Sequence, residues 1–372
     1  MKSVLITPEG IQKNLKNIKP LDAICEYIWN GFDAFATQVE VELNRNKMGL
    51  INMITIRDNG CGINYDELKY KFQPFNDSKK ANASQKTNHT LPHGRKGIGR
   101  LTFFAFSQTA RWDTVYRKDG DTYEYYISMN KDSLNQYDDN GEKLPCKVEK
   151  LTGTKVSFTQ LESMEKEDII NKIKEEFFWF LELNKENDYK IIVDKECIDY
   201  SDFVEHTENM DVSKYGCKET YDVRFVQWKQ KLGNEYSRIY YLGSDNKERY
   251  KETTKLNKRA DHFFHSVYIK SSYFDDFHFT NEEIEGQGDL FPNKCDDEYK
   301  ILINGINTFL IKYRSRYLKE ASDAYISKLI DDKLYPEFDT TNFIQAYQKK
   351  ELDSLVGALY AAQPKIFTGL SN

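Results

Sequence analysis

The sequence predicts two α+β domains, the first a two-layer sandwich of helices on a sheet. Its 372 residues suffice for about two domains. Helical and strand-like patterns mix in the first half without the regular alternation that a doubly wound parallel sheet requires. The pattern changes after Leu161. We therefore place the first domain at 1–161, a second α+β domain at 162–335 and a C-terminal segment at 336–372.

The first domain should open with two helices. Thr7 precedes Pro8, a combination of N-cap and first-turn proline that begins a helix, which should end before Pro20. A second, apolar helix is expected at 21–36. The remaining elements of this domain are predicted at 39–43, 51–57, 114–116, 122–128 and 155–158 for strands and at 65–72 and 98–110 for helices. The polar stretch 76–93 shows no periodicity and is expected to be a long loop.

The second domain combines two helices with several strands. An amphipathic helix is expected at 165–182 and a long helix at 297–332. Strands are predicted at 189–193, 221–231, 236–243 and 263–270. The segment KLGNE at 231–235 is predicted to be a hairpin turn. Because no terminating signal is evident near residue 372, we expect the chain to be part of a longer protein.

Composition limits the class of protein. The net charge of −6 argues against a broad nucleic-acid-binding surface, although a local basic patch is compatible with it. None of the six cysteines forms a CxxC pair, which disfavours a zinc site and a thioredoxin-like motif. No segment reaches the roughly 18 apolar residues of a membrane helix. We expect a cytoplasmic protein with free thiols.

The predicted helix at 21–36 has an unusual polar side. Glu26, Asn30 and Asp33 share one helical face, because positions i, i+4 and i+7 point in nearly the same direction. The large apolar residues of the helix, including Phe35, are expected on the opposite side. A carboxylate, an amide and a second carboxylate thus face something other than the core. A charge favoured by the helix dipole would explain Glu26 alone, but not Asn30 on the same face.

Three further motifs follow along the chain. Asp58 opens the turn DNGCG, which includes Gly60 and Gly62; a plain turn would account for it equally well. The run GRKGIGR comprises Gly94, Arg95, Lys96, Gly97, Ile98, Gly99 and Arg100. It lacks the preceding strand of a Rossmann fingerprint and the Lys-Ser/Thr ending of a P-loop. Thr154 follows Gly153 just before a predicted strand, where an ordinary strand threonine is almost as good an interpretation.

Taken in this order, the four motifs resemble those of the GHKL ATPase superfamily, which includes gyrase B, the large heat-shock chaperone, histidine kinases and MutL. They are similar to its N-box, G1, G2 and G3 motifs, and FQPF at 72–75 resembles a histidine-kinase element. The resemblance covers roughly residues 1–160. It implies the Bergerat ATP-binding fold, with a transducer-like second domain as in MORC-, MutL- and heat-shock-type members.

The resemblance also implies roles for single residues. Glu26 would be the general base that polarises the attacking water, and Asn30 would bind Mg²⁺ through its side-chain oxygen. Asp58 would accept a hydrogen bond from the adenine amino group. The role of Asp33 stays open between orienting a basic residue, contacting the nucleotide and capping backbone. The remaining nucleotide-binding positions are Gly60, Gly62, Gly94, Arg95, Lys96, Gly97, Ile98, Gly99 and Thr154, and 76–93 would be the ATP lid.

The family further implies ATP and Mg²⁺ as ligands and an ATP-gated, dimerising clamp, with a client in DNA repair, condensation or phage defence. A chaperone-like protein-remodelling ATPase and a non-hydrolysing nucleotide sensor or scaffold are the alternatives. A histidine kinase acting in cis is disfavoured, because no histidine precedes His89. Lys229, Lys231 and Lys270 are candidates for a second-domain lysine that reaches the γ-phosphate, and the sequence does not choose among them.

Overall fold

The computed structural model describes residues 7–72, 98–233, 236–257, 261–279, 292–363 and 365–368. The chain forms two compact units, 1–201 and 202–372, which are described separately below. Each unit combines helices with a sheet, as the sequence predicted. None of the helices in the described part of the chain combines the length and the hydrophobicity that a bilayer-crossing segment requires.

The first unit contains four helices of the α type within its described residues. They are α1 (Pro8–Leu15), α2 (Pro20–Asp33), α3 (Leu68–Phe72) and α4 (Lys166–Leu183). Thr7 caps α1 by accepting the backbone N–H of Gly10 at 3.2 Å, as expected. A 3₁₀ helix, Gly99–Ala105, precedes the longest strand of the unit.

One sheet holds all the described strands of this unit. They are β1 (Gln38–Arg45), β2 (Ile51–Asp58), β3 (Ser107–Lys118), β4 (Asp121–Asn130), β5 (Asp138–Asp139), β6 (Cys146–Val148), β7 (Gly153–Leu161), β8 (Lys190–Val193) and β9 (Glu196–Cys197). Their order is β5-β4-β3-β7-β2-β1-β8-β9, with β6 beside β4. Only the β1–β8 pair is parallel among these strands. The sequentially distant β7 lies between β2 and β3, which brings the motifs at 58–62 and 153–154 together.

Two expectations for this unit were wrong. Residues 98–110 do not form one helix, because β3 already begins at Ser107 and pairs with β4 and β7. The apolar run ending at Phe106 suggested a helix, but the pairing partners decide in favour of a strand. Helix α2 ends at Asp33, and Phe35 has a positive φ of 63° and is 67% exposed instead of packing in the core.

The first unit extends beyond residue 161, where the sequence analysis placed the domain boundary. Helix α4 packs on α2, with the rings of Trp29 and Phe177 4.4 Å apart and those of Phe32 and Phe180 4.8 Å apart. Strand β8 continues the same sheet by pairing with β1. A helix and a hairpin that follow residue 161 therefore complete the core of the first unit.

The second unit is a five-stranded sheet with long helices. Its strands are β10 (Val204–Met210), β11 (Asp222–Trp228), β12 (Arg238–Leu242), β13 (Glu248–Thr253) and β14 (Phe264–Lys270), and its helices are α5 (Asp297–Asp331), α6 (Phe343–Ala362) and α7 (Lys365–Thr368). The order is β10-β11-β14-β12-β13. Because β14 lies between β11 and β12, the predicted hairpin at 231–235 is not formed; Asn234 and Glu235 themselves lie outside the described residues. A core of aromatic and aliphatic side chains joins this sheet to α5.

Candidate functional site

The polar face of α2 is present as predicted. Between Ala23 and Asp33, eight residues are buried and only Glu26, Asn30 and Asp33 retain partial exposure. The buried side seats the helix between the sheet and α4. The three polar side chains therefore lie at a surface that the core of the unit leaves open.

The start of the 3₁₀ helix lies against this polar face. A Cβ atom placed on Gly99 would be 3.1 Å from Glu26 Oε2, 3.8 Å from Asn30 Nδ2 and 3.9 Å from Asn30 Oδ1. The missing side chain of Gly99 thus leaves room for the glutamate and the amide. Two predicted motifs, distant in sequence, converge at this point.

Hydrogen bonds to Tyr27 on α2 and to Phe72 on α3 hold the start of the 3₁₀ helix in place. The Tyr27 hydroxyl donates to the carbonyl oxygen of Arg100 at 2.8 Å, and the Arg100 guanidinium donates to the carbonyl oxygen of Phe72 at 2.9 Å. Burial lowers the pKa of Arg100 to about 10. Arg100, for which the sequence gave no individual role, therefore fixes the backbone of this segment from within the protein.

Asp58 ends β2 and bends back into the turn that follows. Its Oδ1 atom accepts the backbone N–H groups of Gly60 at 2.8 Å and of Thr154 at 3.2 Å. No described residue donates to Oδ2 or forms an ion pair with this carboxylate. Burial raises the pKa of Asp58 to about 6, against an ordinary value of 3.8, although these two hydrogen bonds act in the opposite direction. The site therefore holds a partly desolvated carboxylate with one acceptor oxygen available.

Two glycines permit close packing at the end of β2 and in the turn that follows it. Gly62 has a φ of +73°, and a Cβ there would overlap the carbonyl of Val115. Gly31 was not singled out from the sequence, yet a Cβ on it would be 2.9 Å from Val39 Cγ2 and 3.0 Å from Asp58 Cβ. Gly31 therefore lets α2 approach the end of β2 next to Asp58. A glycine inside an amphipathic helix was the available signal for this contact.

Thr154 lies on β7, which pairs with β2 on one side and with β3 on the other. Its hydroxyl is buried and lies 3.0 Å from the hydroxyl of Thr114, the residue paired with it on β3. The sequence analysis treated Thr114 only as the start of a strand. Nothing in the local sequence distinguishes it, since its partner is 40 residues away.

The glycine-rich run is only partly described. Ile98 directly precedes the 3₁₀ helix and Gly99 is its first residue. Gly94, Arg95, Lys96 and Gly97, together with the loop at 76–93, lie outside the described residues. Their predicted contacts with phosphate stay predictions.

A cluster of polar contacts joins α2 to α4. Lys172 forms an ion pair with Asp22 at 2.6 Å and lies 3.9 Å from Glu176, whose Oε1 accepts the indole N–H of Trp29 at 3.4 Å. Burial raises the pKa of Glu176 above its ordinary value. These contacts fix the helix that carries Glu26 and Asn30, with Asp22 one turn before Glu26.

The described side chains at this site could bind a metal ion jointly with a bound ligand, but they are too few to bind one alone. Within the described ranges, no three or more His, Cys, Asp or Glu side chains are grouped as a metal site would require. Asn30 offers a side-chain oxygen, which is the donor type that Mg²⁺ prefers when it keeps waters and substrate phosphates as further ligands. Asn30 is therefore compatible with Mg²⁺ held jointly by the protein and a polyphosphate.

Part of the first unit is similar in sequence to a known protein family and to two curated proteins. Residues 18–166 match the family model described as histidine kinase-, DNA gyrase B- and HSP90-like ATPase. A Schizosaccharomyces pombe protein described as a MutL homologue is 44% identical over 61 residues, which is 16% of this chain and 8% of that protein. A Herpetosiphon aurantiacus protein described as the type II restriction enzyme HgiDII is 28% identical over 120 residues, or 32% of this chain and 17% of that protein. The chain thus spans less than a fifth of either curated relative.

The solved structures that align with the chain do so with low TM-scores and low sequence identity. The ATPase region of Saccharomyces cerevisiae topoisomerase II aligns with 68% of this chain and 72% of its own length, at 13% identity and a TM-score of 0.36. The ATPase domain of the mismatch repair endonuclease MutL from Aquifex aeolicus aligns with 68% of this chain and 89% of its own, at 12% identity and a TM-score of 0.34.

Proposed function

Because residues 18–166 form a domain of the histidine kinase-, DNA gyrase B- and HSP90-like ATPase family, we propose that this chain binds ATP with Mg²⁺ and hydrolyses it, with Glu26 as the general base. The observation that carries the proposal is the convergence of Glu26 and Asn30 on the side-chain-free face of Gly99. A carboxylate at the mouth of such a gap is placed to take a proton from water as it attacks a phosphorus atom.

Asp58 is the proposed determinant for adenine. Its Oδ2 atom accepts the exocyclic amino group, while Oδ1 stays bound to the backbone of Gly60 and Thr154. The available lone pairs and the absence of a cationic partner in the described part of the chain support this role. A base that presents a carbonyl oxygen at this position would leave two acceptors facing each other, which costs affinity.

Asn30 is the proposed protein ligand of Mg²⁺. When bound, the ion would offset the negative charge of the triphosphate. Glu26, one helical turn away, polarises water, and Gly99 contributes by leaving space beside both side chains. The part of Asp33 in nucleotide binding stays a prediction, as do those of Gly60, Gly62 and Ile98 as direct contacts.

We further propose that ATP favours the association of two copies, so that the chain acts as an ATP-gated clamp. A ligand shifts such an equilibrium only through its higher affinity for the associated state. The names of the two curated relatives, a MutL homologue and a type II restriction enzyme, favour DNA as the client. Retention on DNA that falls steeply as the salt concentration rises would support this client. A failure to bind DNA at any salt concentration would contradict it.

The test compares ATP turnover of the wild type and of Glu26→Ala, with light scattering in ATP, in a non-hydrolysable analogue and in ADP. We expect the variant to bind ATP with little turnover, and dimers only in the triphosphate state. Glu175→Ala, an exposed glutamate on α4, is the matched control and should keep full turnover. Unchanged turnover in Glu26→Ala would remove this residue from its role. Tight ATP binding by the wild type without turnover would favour the sensor alternative.

A further inference from the structure

Two threonine hydroxyls lie side by side beneath the proposed adenine site. Thr114 on β3 and Thr154 on β7 are paired residues of neighbouring strands, and both are buried. Their Oγ1 atoms are 3.0 Å apart. The backbone of Thr154 is in turn bound to Asp58, so this pair and the carboxylate form one connected group.

The hydrogen bonds of Thr114 restrict where its proton can go. Its Oγ1 accepts the backbone N–H of Ile63 at 3.0 Å, and its other neighbours are Thr154 Oγ1 at 3.0 Å and the carbonyl oxygen of Gly153 at 3.4 Å. A hydroxyl carries one proton and two lone pairs. The Thr114 proton therefore goes either to Thr154 or to the more distant Gly153 carbonyl.

These two choices give Thr154 opposite properties. If Thr114 donates to Thr154, the Thr154 proton remains available to a ligand. If Thr114 donates to Gly153, Thr154 must donate to Thr114 and presents only lone pairs. The shorter distance, 3.0 Å against 3.4 Å, favours the first arrangement.

We propose that Thr114 is a positioning residue that makes the Thr154 hydroxyl a hydrogen-bond donor to the ligand, and thereby selects adenine. This inference rests on the proposed ATP site. Adenine carries an amino donor next to a ring-nitrogen acceptor, N1, and this matches the Asp58 acceptor beside the Thr154 donor. Guanine presents the reverse pattern, a carbonyl oxygen next to an N1–H donor, and so matches neither group.

The test measures the affinity of ATP, GTP and 1-deaza-ATP, which lacks the N1 acceptor, for Thr114→Val and Thr114→Ser. Valine keeps the shape of threonine and removes the hydroxyl, whereas serine keeps the hydroxyl. We expect Thr114→Val to bind ATP about 5-fold more weakly, because the Thr154 hydroxyl is then no longer held as a donor and can turn its lone pairs to the ligand, with kcat unchanged and the affinity for GTP not reduced. Thr114→Ser should bind like the wild type, and 1-deaza-ATP should bind equally to all three proteins.

Thr154→Val provides the second arm. If Thr114 acts through Thr154, Thr114→Val should have no further effect on ATP affinity when Thr154→Val is already present. The proposal is overturned if Thr114→Val weakens ATP and GTP equally, if the loss persists with 1-deaza-ATP, if Thr114→Ser is equally impaired, or if the two losses add. Thermal melting of each variant separates these outcomes from a loss of fold.

Asp58→Ala distinguishes failure of this inference from failure of the proposed function. If Asp58→Ala loses ATP binding while Thr114→Val keeps wild-type selectivity, the proposed role of Thr114 is wrong and the proposed ATP pocket is supported. If Asp58→Ala binds ATP as the wild type does, the proposed ATP pocket is itself wrong, and the role of Thr114 is overturned with it.

Discussion

Gly99 faces the carboxylate of Glu26 so closely that any side chain there must displace it: a Cβ would lie 3.1 Å from Oε2. Glu26 ends in a flexible carboxylate, so Gly99→Ala should be accommodated by a shift of a few tenths of an ångström. Because general-base geometry is sensitive to such shifts, we expect ATP turnover to fall about ten-fold or more while ATP affinity changes little. Steady-state kinetics with separate nucleotide-binding measurements would check this.

Gly357→Ala is the control for the glycine substitution. A Cβ there would be 3.5 Å from Ser322 Oγ, which is an ordinary contact. This variant should keep wild-type turnover. If Gly99→Ala also kept wild-type turnover, the position of the Glu26 carboxylate would not limit the reaction.

Asp58→Asn should stabilise the first unit above pH 6 while it impairs ATP binding. The pKa of Asp58 is about 6 in the folded protein against an ordinary value of 3.8, so the folded state holds this proton more tightly than the unfolded state. The wild type therefore loses stability as the pH rises from about 4 to 6. Asparagine cannot ionise, so it avoids this loss. The free energy of unfolding of Asp58→Asn should exceed that of the wild type by nearly zero at pH 4 and by ~2–3 kcal/mol at pH 7.

Urea unfolding at pH 4, 5, 6 and 7.5 without nucleotide would measure this difference. The exposed Glu42→Gln, on β1 of the same sheet, is the control and should change stability little at any of these pH values. A gain that does not vary with pH would show that burial of the Asp58 charge is not its cause.

Local patterns predicted much of this site, and distant contacts account for what they missed. The spacing of Glu26 and Asn30 defines a helical face without reference to the rest of the chain. Thr114 and Gly31 matter because of their partners on strands; the glycine inside an amphipathic helix signals a close contact, but no local signal specifies the partner of either residue. Residues 98–110 show the same limit, since an apolar run suits a helix or a buried strand until its neighbours are known.

The contacts of α4 and β8 predict where the first unit ends. A chain of residues 1–161 would expose Trp29 and Phe32, which pack on aromatic residues of α4, and would leave the edge of β1 unpaired. Burial of each such side chain is worth about 1.5–3 kcal/mol, so their joint loss is comparable with the whole stability of a domain. We expect residues 1–201 to unfold cooperatively and residues 1–161 to aggregate.

Circular dichroism melts and sedimentation of the two fragments would test this boundary. The longer fragment serves as the control for the shorter one, because both start at the same residue. A monomeric 1–161 fragment with the melting temperature of 1–201 would place α4 and β8 outside the folding unit.

Asp261 and Arg314 form the most deeply buried ion pair among the described residues of the second unit. The Asp261 side chain is 1% exposed, and its Oδ2 lies 2.8 Å from Nε and 2.7 Å from Nη2 of Arg314. Removing one partner leaves a buried, uncompensated charge, so Arg314→Met should destabilise this unit by about 3–5 kcal/mol. Hydrogen exchange of the β11 and β14 amides would report the loss within this unit, whatever the stability of the other one.

Arg316→Met, two residues along the same helix, is the matched control. Arg316 is 61% exposed and lies 3.8 Å from an exposed Glu320, so its loss should cost less than about 1 kcal/mol. Equal effects of the two substitutions would mean that the buried charge pair does not determine the stability of this unit. A small effect of Arg314→Met alone would mean that the buried Asp261 carboxylate does not depend on this arginine.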